Sequence, residues 1–499
     1  MQGKRELYKQ FVFDSFEITK SSTGLQVKYL YRLGEHDFRP EVTIPIEDIT
    51  NKEIDEVFLH ELFFNFGIIN AISYYKLSCA PQFVIKAGYI DENQKLFFRK
   101  LFYNGLSEFM YVNQLNFDFN SFMTIDCIEA PENRQNNNPP RELYNIGNSF
   151  SGNLIPVGGG KDSIVTLEAL QPVHNDNLCL QFNRSLYPEN RAALDSIREA
   201  GYKQIETRNF NLSFDKHLLE LNKQGFYNGH IPFSSTLAFA ALIVAYLNNK
   251  KYIPVSNEAS ANQGNIVGTN INHQYSKSFE FERDFQNYVN YYLTDKILYF
   301  SLLRCMNEYQ ICQKFLQFPQ YLAIFRSCNV GTKENKWCGH CAKCLYVYIM
   351  LYPFVEKAKL EAIFGHNLLD DESLLETFNG LVFPETIKPF ECVGTKEEIC
   401  YSLDLAVQNQ NPENLPYLLR LYQANAYGKT PYGDIPNYFN PENSIPEEHL
   451  KMLQSLWKTT SSNTYATKAS SSSAMAGKGK VRSNSSKKTC QTTPSPSPI

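Results

Sequence analysis

Alternating apolar and polar positions predict strands at the start of the chain. Residues 11–18 and 25–31 alternate with a period of about two, imperfectly in the first run, and the Ser-Ser-Thr-Gly segment at 21–24 suits the turn between them. Over residues 8–46 the pattern therefore predicts strands arranged as hairpins.

Helical spacing follows these strands. Residues 52–72 and 92–114 carry apolar side chains at helical intervals, and residues 82–85 resemble a strand between the two helices. This mixture predicts a compact α+β N-terminal domain over residues 1–130. A polar, proline-containing linker is expected over residues 131–149.

Strand-like and helical segments alternate from residue 150 to residue 384. The predicted strands are residues 178–182, 204–207 and 251–256, and the predicted helices are residues 188–200 and 234–248. Such alternation implies a parallel sheet covered by helices. Ligands of these sheets bind beyond the C-terminal ends of the strands, so functional side chains are expected there.

The end of the chain divides into two parts. Residues 385–458 are of mixed character, and we expect a C-terminal α/β extension there. Residues 459–499 are rich in Ser, Thr and Lys and contain no acidic residue. Such a composition cannot bury a core, so this part is predicted to be a disordered tail.

Bulk composition excludes several classes of protein. The 499 residues carry a net charge of −4, which gives no overall bias toward nucleic acid. No apolar run approaches the roughly 18 residues of a membrane span, and residues 1–6 lead into no apolar signal segment. We therefore predict a cytoplasmic protein of two or three domains, with neither a membrane nor a nucleic-acid partner.

Residues 154–163, Leu-Ile-Pro-Val-Gly-Gly-Gly-Lys-Asp-Ser, predict a phosphate-binding loop between a strand and a helix. A Walker A loop requires Ser or Thr directly after the lysine, but Asp162 follows Lys161. A dinucleotide fingerprint requires a final glycine where Ser163 stands. The remaining match is the S-G-G-x-D-S loop of the PP-loop ATP pyrophosphatases, with Gly158 in place of the first serine. An ordinary glycine-rich turn is the alternative.

Four of the 12 cysteines form a dense cluster with C-x9-C-x2-C-x2-C spacing. They are Cys328, Cys338, Cys341 and Cys344. Four thiolates at this spacing favour a closed, tetrahedral structural zinc site, and a disulfide or an iron–sulfur cluster is the alternative. His340 lies between two of the cysteines but is not needed as a ligand. The other cysteines are scattered, as in proteins of a reducing compartment.

Three polar segments lie near the predicted strand ends. Residues 228–232 contain His230, residues 257–260 contain Glu258, and residues 272–277 contain His273 and Lys277. Loops of amides, His and Lys on this side of a sheet suit substrate recognition. Either histidine could equally have a structural role.

These motifs together resemble the MurL-type UDP-N-acetyl-α-D-muramoyl-L-alanyl-L-glutamate epimerases, from the N-terminal domain to about residue 400. The resemblance also rests on Ile363–Gly365, Asn367–Asp371 and Lys388–Gly394. It implies an α/β fold: a PP-loop parallel-sheet domain of the adenine nucleotide α hydrolase type, an N-terminal α+β domain and a zinc knuckle of four cysteines.

The resemblance also implies a reaction. The family is implied to use ATP and Mg²⁺, to release AMP and diphosphate, and to invert the terminal L-Glu of UDP-MurNAc-L-Ala-L-Glu to D-Glu. This step belongs to peptidoglycan precursor synthesis, and hence to cell-wall biogenesis and cell shape. Zinc is expected to be structural, because four thiolates leave no open coordination position.

Residue roles follow from carrying this chemistry onto the motifs. We expect Gly158, Gly159, Gly160 and Ser163 to bind phosphate through backbone and hydroxyl groups, Lys161 to balance phosphate charge, and Asp162 to ligate Mg²⁺. Proton transfer at Cα is expected from His273 or Lys277 first, and then from His230 or Glu258. One base or two, and the oligomeric state, stay open.

Two other functions remain at this point. A 7-cyano-7-deazaguanine synthase-like ligase also joins a PP-loop to a four-cysteine zinc site, but normally lacks the long N-terminal domain and the Asn272–Gln274 segment. A non-catalytic nucleotide sensor or zinc-containing interaction module would bind nucleotide without releasing diphosphate.

Overall fold

The computed structural model describes residues 3–131, 139–186, 189–266 and 268–458. The linker expected at 131–149 lies partly outside the described residues, and the tail expected at 459–499 lies wholly outside them. Within the described residues, eleven strands join in one sheet that helices flank.

The strands are β1 (Gln10–Ser21), β2 (Gly24–Leu33), β3 (His36–Phe38), β4 (Glu41–Pro45), β5 (Gln82–Ile85), β6 (Thr124–Cys127), β7 (Asn153–Pro156), β8 (Asn177–Arg184), β9 (Thr207–Ser213), β10 (Tyr252–Val255) and β11 (Leu298–Ser301).

The α-helices are α1 (Lys4–Leu7), α2 (Glu56–Asn70), α3 (Ile72–Tyr75), α4 (Glu92–Gly105), α5 (Ser107–Val112), α6 (Phe119–Phe122), α7 (Lys161–Ala169), α8 (Arg191–Glu199), α9 (His217–Lys223), α10 (Phe233–Leu247), α11 (Phe279–Tyr288), α12 (Glu308–Phe315), α13 (Ala342–Leu351), α14 (Lys357–Phe364), α15 (Leu375–Val382), α16 (Lys396–Gln408), α17 (Tyr417–Asn425) and α18 (Glu447–Lys458).

Five parallel strands form one half of the sheet, in the order β11-β10-β7-β8-β9. The chain proceeds outward from β7 through β8 and β9, and then in the opposite direction through β10 and β11. The strand order therefore reverses between β7 and β10, which leaves a crevice at their C-terminal ends. Thr166 Oγ1 and Ser256 Oγ, which follow these two strands, lie 2.8 Å apart. The predicted parallel sheet is confirmed, and both loops lie at its switch point.

The N-terminal strands continue the same sheet. Strand β4 pairs antiparallel with β9, with Val42 opposite Leu212, and the order then runs β4-β2-β1-β5-β6. The register of β1 on β2 shifts between Phe13 and Ser15. Phe11 and Phe13 face the core before this bulge, and even-numbered residues are the more buried after it. The bulge thus explains the imperfect alternation of this strand.

Three segments differ from the sequence prediction. The strand predicted at 204–207 is a 3₁₀ turn at Gln204–Glu206, closed by a 2.6 Å hydrogen bond from the Lys203 N–H to Glu206 Oε2, and β9 begins only at Thr207. The helix predicted at 92–114 is interrupted at Leu106. Residues 385–458, all of which the structure describes, form α16, α17 and α18 without a strand, so the expected α/β extension is helical.

An apolar run over Glu56–Tyr75 spans α2 and α3. Its 20 residues and mean hydropathy of 1.2 would suit a membrane span by length and composition alone, contrary to the expectation that no such run exists. Asn65 and Asn70 interrupt the apolar pattern in the sequence, yet both are buried. Because 83% of its most apolar 18-residue window is buried within the protein, the run packs in the core.

Helix α18 is anchored to the parallel half of the sheet. Burial lowers the pKa of His449 to about 4, so its ring is neutral at pH 7. His449 Nε2 then donates to Asn153 Oδ1 at 2.7 Å, at the first residue of β7. The last described helix therefore supports the strand that leads into the glycine loop.

Candidate active site

The glycine loop joins β7 to α7 at the switch point. Gly159 has a φ of +80°, and a Cβ there would lie 2.6 Å from backbone atoms of Ala192 and Ala193. Only glycine fits this position, because both the conformation and the close approach to α8 exclude a side chain. A Cβ on Gly158 would meet nothing within 4 Å, so the open side of the loop is at Gly158.

The start of α7 leaves donors free for an anion. Gly160 is the N-cap residue and provides no side-chain cap. Ser163 Oγ accepts from the Gly159 N–H at 3.1 Å and donates to the Gly160 carbonyl at 2.9 Å, which fixes the turn. The first N–H groups of a nine-residue helix and its positive dipole end therefore adjoin an open space. This arrangement fits a phosphate group.

The Lys161 ammonium is buried among carboxylates. It donates to both Asp162 and Glu308. Burial would lower the pKa of Lys161, but these two carboxylates raise it. Burial would raise the pKa of Asp162, but Lys161 and other lysines hold it below its ordinary value. Asp162 is 25% exposed, whereas Lys161 and Glu308 are almost fully buried, so Asp162 is the member of this group that a ligand can reach.

Glu398 and Glu258 are two further buried carboxylates in the same region. The Glu308 N–H donates to Glu398 Oε1 at 2.8 Å. Burial, with the neighbouring carboxylates, raises the pKa of Glu308 to about 7 and that of Glu398 to about 7. Glu258, directly after β10, is also buried. Neither Glu308 nor Glu398 belonged to the predicted site.

A fully buried ion pair supports the loop after β10. Arg304 Nη2 lies 3.1 Å from Glu282 Oε2. The same guanidinium donates to the main-chain carbonyl oxygens of Glu258 and Lys277. Arg304 therefore fixes the backbone of two residues that the sequence placed in the site.

Loss of this pair should be costly. Arg304→Met leaves Glu282 buried without its partner, so we expect the free energy of unfolding to fall by about 3–5 kcal/mol. Urea unfolding measures this change. The double variant Glu282→Gln/Arg304→Met should recover part of the loss, because no unpaired charge remains. An Arg304→Met variant as stable as the wild type would contradict a stabilising role of the Arg304–Glu282 ion pair.

The two predicted histidines meet an acidic residue from the N-terminal part of the chain. Glu108, in α5, is hydrogen-bonded to His273 Nδ1 and lies 3.8 Å from His230 Nδ1. The two imidazole rings are 4.1 Å apart between centroids. Burial and the neighbouring His273 lower the pKa of His230 well below its usual range. Ligand atoms of all three residues lie within 4.8 Å of one another.

The surroundings of His273 favour its protonated form. Burial opposes its charge, but hydrogen bonds to Cys392 and Glu108 raise its pKa to about 10. The ring therefore connects a carboxylate on one side with a thiol on the other.

Cys392, which the sequence analysis left out of the candidate site, adjoins both Lys277 and His273. Lys277 Nζ lies 3.2 Å from Cys392 Sγ, and Lys343 Nζ donates to the Cys392 carbonyl. Burial would raise the pKa of this thiol, but Lys277 and His273, with Lys343, lower it well below its usual range. The residue is partly exposed. Its spacing from the other cysteines indicates no metal site or disulfide. The one sequence feature that could have indicated a role is its place in the Lys388–Gly394 motif.

Lys277 also lies near Glu258 and near Asp162 of the glycine loop. Burial would lower its pKa, but Cys392, Glu258 and, more weakly, Asp162 raise it. The structure thus brings the predicted loop, Glu258, Lys277 and both histidines into one neighbourhood.

The four-cysteine cluster fits a zinc ion. The Sγ–Sγ distances are 3.6 Å for Cys328–Cys341, 3.6 Å for Cys338–Cys344 and 3.5 Å for Cys341–Cys344. Sulfurs at the usual Zn–S distance of about 2.3 Å form a tetrahedron with edges of about 3.8 Å. These sulfurs are too far apart for a disulfide. His340 Nδ1 instead contacts the Cys338 carbonyl at 2.8 Å.

The fold and this concentration of buried, charged groups at a switch point define an α/β enzyme. A family model described as the MurL N-terminal domain matches residues 2–302, and one described as the MurL C-terminal domain matches residues 324–430. The chain belongs to the MurL family.

Three curated relatives are named UDP-N-acetyl-α-D-muramoyl-L-alanyl-L-glutamate epimerase. The protein from Micromonospora sp. is 30% identical over 89% of this chain and 97% of its own length. That from Xanthomonas oryzae pv. oryzae is 33% identical over 66% of this chain and 71% of its own length. The protein from Salinispora tropica is 30% identical over 83% of this chain and 88% of its own length. No solved structure matches the chain.

Proposed function

We propose that this protein is an ATP-dependent epimerase of peptidoglycan precursor synthesis, which acts in the cytoplasm. Its substrate would be UDP-MurNAc-L-Ala-L-Glu, and its product would carry D-Glu at the same position. The names of the relatives support the substrate. The observation that supports the mechanism best is the position of Lys277, whose ammonium lies 3.2 Å from Cys392 Sγ and near enough to Asp162 of the glycine loop for that carboxylate to raise its pKa.

Inversion requires loss of the glutamyl Cα proton, which is barely acidic beside a carboxylate. In the proposed reaction, a carboxylate oxygen attacks the α-phosphorus of ATP and diphosphate leaves. The resulting acyl adenylate has no carboxylate charge, so its Cα proton is more acidic. After inversion, water cleaves the adenylate and releases AMP. Activation and inversion are thus separate steps, and the two groups of side chains suit one each.

The glycine loop is assigned to ATP as a PP-loop. The free N–H groups of Gly160–Ser163 would receive phosphate oxygens at the open side of the loop. Asp162, the exposed carboxylate, is the proposed Mg²⁺ ligand, and Mg²⁺ when bound would neutralise phosphate charge. Lys161 donates to Asp162 and Glu308, so we assign it to holding these carboxylates rather than to direct phosphate contact.

A polar cleft beside this site suits the sugar nucleotide. It has a volume of about 550 Å³, and its lining includes Asn262, Asn270, Asn272 and Arg283. Amides and a guanidinium are donors for hydroxyl and phosphate oxygens. Asn272 precedes His273, so a substrate held in the cleft would adjoin the thiol–imidazole pair.

The decisive experiment is chiral analysis of glutamate. Purified protein is incubated with UDP-MurNAc-L-Ala-L-Glu, ATP and Mg²⁺, the product is hydrolysed, and the enantiomers are separated. We expect D-Glu with ATP and none without it, with AMP and diphosphate released. Folded, zinc-loaded protein that forms no D-Glu would contradict the proposal. Ammonia-dependent turnover of a carboxylated deazaguanine would then identify the alternative ligase.

A further inference from the structure

We propose that Cys392 is the catalytic residue that removes the glutamyl Cα proton, with its sulfur as the base. This inference rests on the proposed function and deepens it. The sequence assigned the role to His273 and Lys277, but the structure makes both of them partners of the sulfur.

The surroundings of the sulfur favour the thiolate. Lys277 Nζ approaches Sγ to 3.2 Å, and His273 hydrogen-bonds the same side chain. Lys343, on α13 beside the zinc-binding cysteines, donates to the Cys392 carbonyl and fixes the backbone. Two cationic groups on one sulfur stabilise a negative charge there. The residue is partly exposed, and the proposal requires a substrate to reach its sulfur.

The surroundings of the two neighbours make each of them a poorer base than the sulfur. Cys392 and Glu108 raise the pKa of His273 to about 10, and Cys392 and Glu258 raise that of Lys277, which favours the protonated form of both side chains. A protonated group cannot accept the Cα proton, whereas a thiolate can. Glu108 holds His273 through Nδ1 and is therefore a positioning residue.

The position of Cys392 also fits the order of the reaction. Lys277 contacts the sulfur and is close enough to Asp162 and Glu258 for both to raise its pKa. The proposal therefore places the Cα of a carboxyl group activated at the glycine loop near the sulfur.

The proton transfer balances without a further reactant. The Cα–H bond breaks, an S–H bond forms on Cys392, and the electron pair of the C–H bond passes into the activated carboxyl group as an enolate. A water molecule protonates the opposite face of Cα and leaves hydroxide. The thiol gives its proton to that hydroxide, which restores the thiolate and water.

Cys392→Ser separates this inference from the proposed function. Two reactions are measured: substrate-dependent exchange of diphosphate into ATP, and deuterium incorporation at the glutamyl Cα in D₂O. We expect Cys392→Ser to retain the exchange and to lose deuterium incorporation and D-Glu formation by about 10²- to 10⁴-fold. Cys127→Ser is the matched control, because Cys127 is also partly exposed but contacts the Ile90 carbonyl instead.

Three outcomes would overturn the inference. Wild-type rates of deuterium incorporation in Cys392→Ser would exclude the sulfur as the base. Loss of incorporation in His230→Asn, with retention in Cys392→Ser, would transfer the role to the neutral imidazole. Metal analysis could also find a second zinc ion per chain that is absent from His230→Asn. That result would show that a metal ion, and not a proton, occupies the site beside His273. A wild-type protein inactive in both reactions would instead refute the proposed function.

Alkylation tests the thiolate directly. Wild-type protein is treated with iodoacetamide at pH 7, and modification of each cysteine is followed by peptide mass spectrometry. We expect Cys392 to react faster than Cys127, and substrate with ATP to protect it. Reaction of Cys392 no faster than Cys127 would contradict a thiolate at this position.

Discussion

Gly159→Ala is expected to reduce D-Glu formation by about 10²-fold or more, because displacement of a binding loop by about 1 Å has effects of this size. The added Cβ would lie 2.6 Å from the backbone of α8, and the residue would keep a φ of +80°. Neither conflict can be relieved by rotating a side chain. The loop must shift, and the N–H groups at the start of α7 shift with it. ATP binding and D-Glu formation measure the effect.

Gly225→Ala is the control for this prediction, and Gly158→Ala is a second test of the loop. Gly225 also has a φ of +80°, but a Cβ there meets nothing within 4 Å, so Gly225→Ala carries only the backbone cost of about 1–2 kcal/mol and should keep activity. Gly158→Ala should fold normally but place a methyl group in the open side of the loop, and so weaken ATP binding. Tight ATP binding by Gly159→Ala would contradict the phosphate role.

Cys341→Ser is expected to release zinc and to destabilise the protein severely. Structural zinc contributes about 10 kcal/mol or more to the folding of zinc-finger peptides. Metal analysis should give one zinc ion per wild-type chain and little in the variant, and the unfolding temperature should fall sharply. Lys343 lies between Cys341 and Cys344 and contacts the Cys392 carbonyl, so residual folded protein should also lose epimerisation.

The control for the zinc prediction is Cys127→Ser, which should keep both metal and stability, since Cys127 lies outside the cluster. Iron and sulfide in the purified wild-type protein would contradict the zinc assignment and favour a cluster. An unchanged unfolding temperature in Cys341→Ser would contradict a structural role.

Local patterns predicted those features whose residues are close in sequence. The glycine loop depends on ten consecutive residues and the cysteine cluster on a short spacing, and both lie where the pattern placed them. The parallel sheet was predictable because each strand is bounded by turns and followed by helical spacing. The start of β9 was not predictable in this way. The turn before it is closed by a hydrogen bond from the Lys203 N–H to the Glu206 side chain, which the apolar pattern does not reveal.

The proposed acid–base group could not be predicted in full from the sequence, because its members are far apart in the chain. Glu108, His273 and Cys392 come from three separate segments, and only the packing of α5 against the loop after β10 brings the first two together. Each of these residues has an ordinary local context. Their chemistry arises from mutual contact, which one sequence without the fold does not specify.

The pairing of β4 with β9 means that the proposed reaction centre does not lie in a separable domain. A fragment beginning near residue 150 would keep the glycine loop and the cysteine cluster. It would also expose β9 as an open edge that invites aggregation, and would lack the carboxylate that orients His273. Recombination that exchanged the part of the chain before residue 150 would therefore have to preserve both a strand register and Glu108.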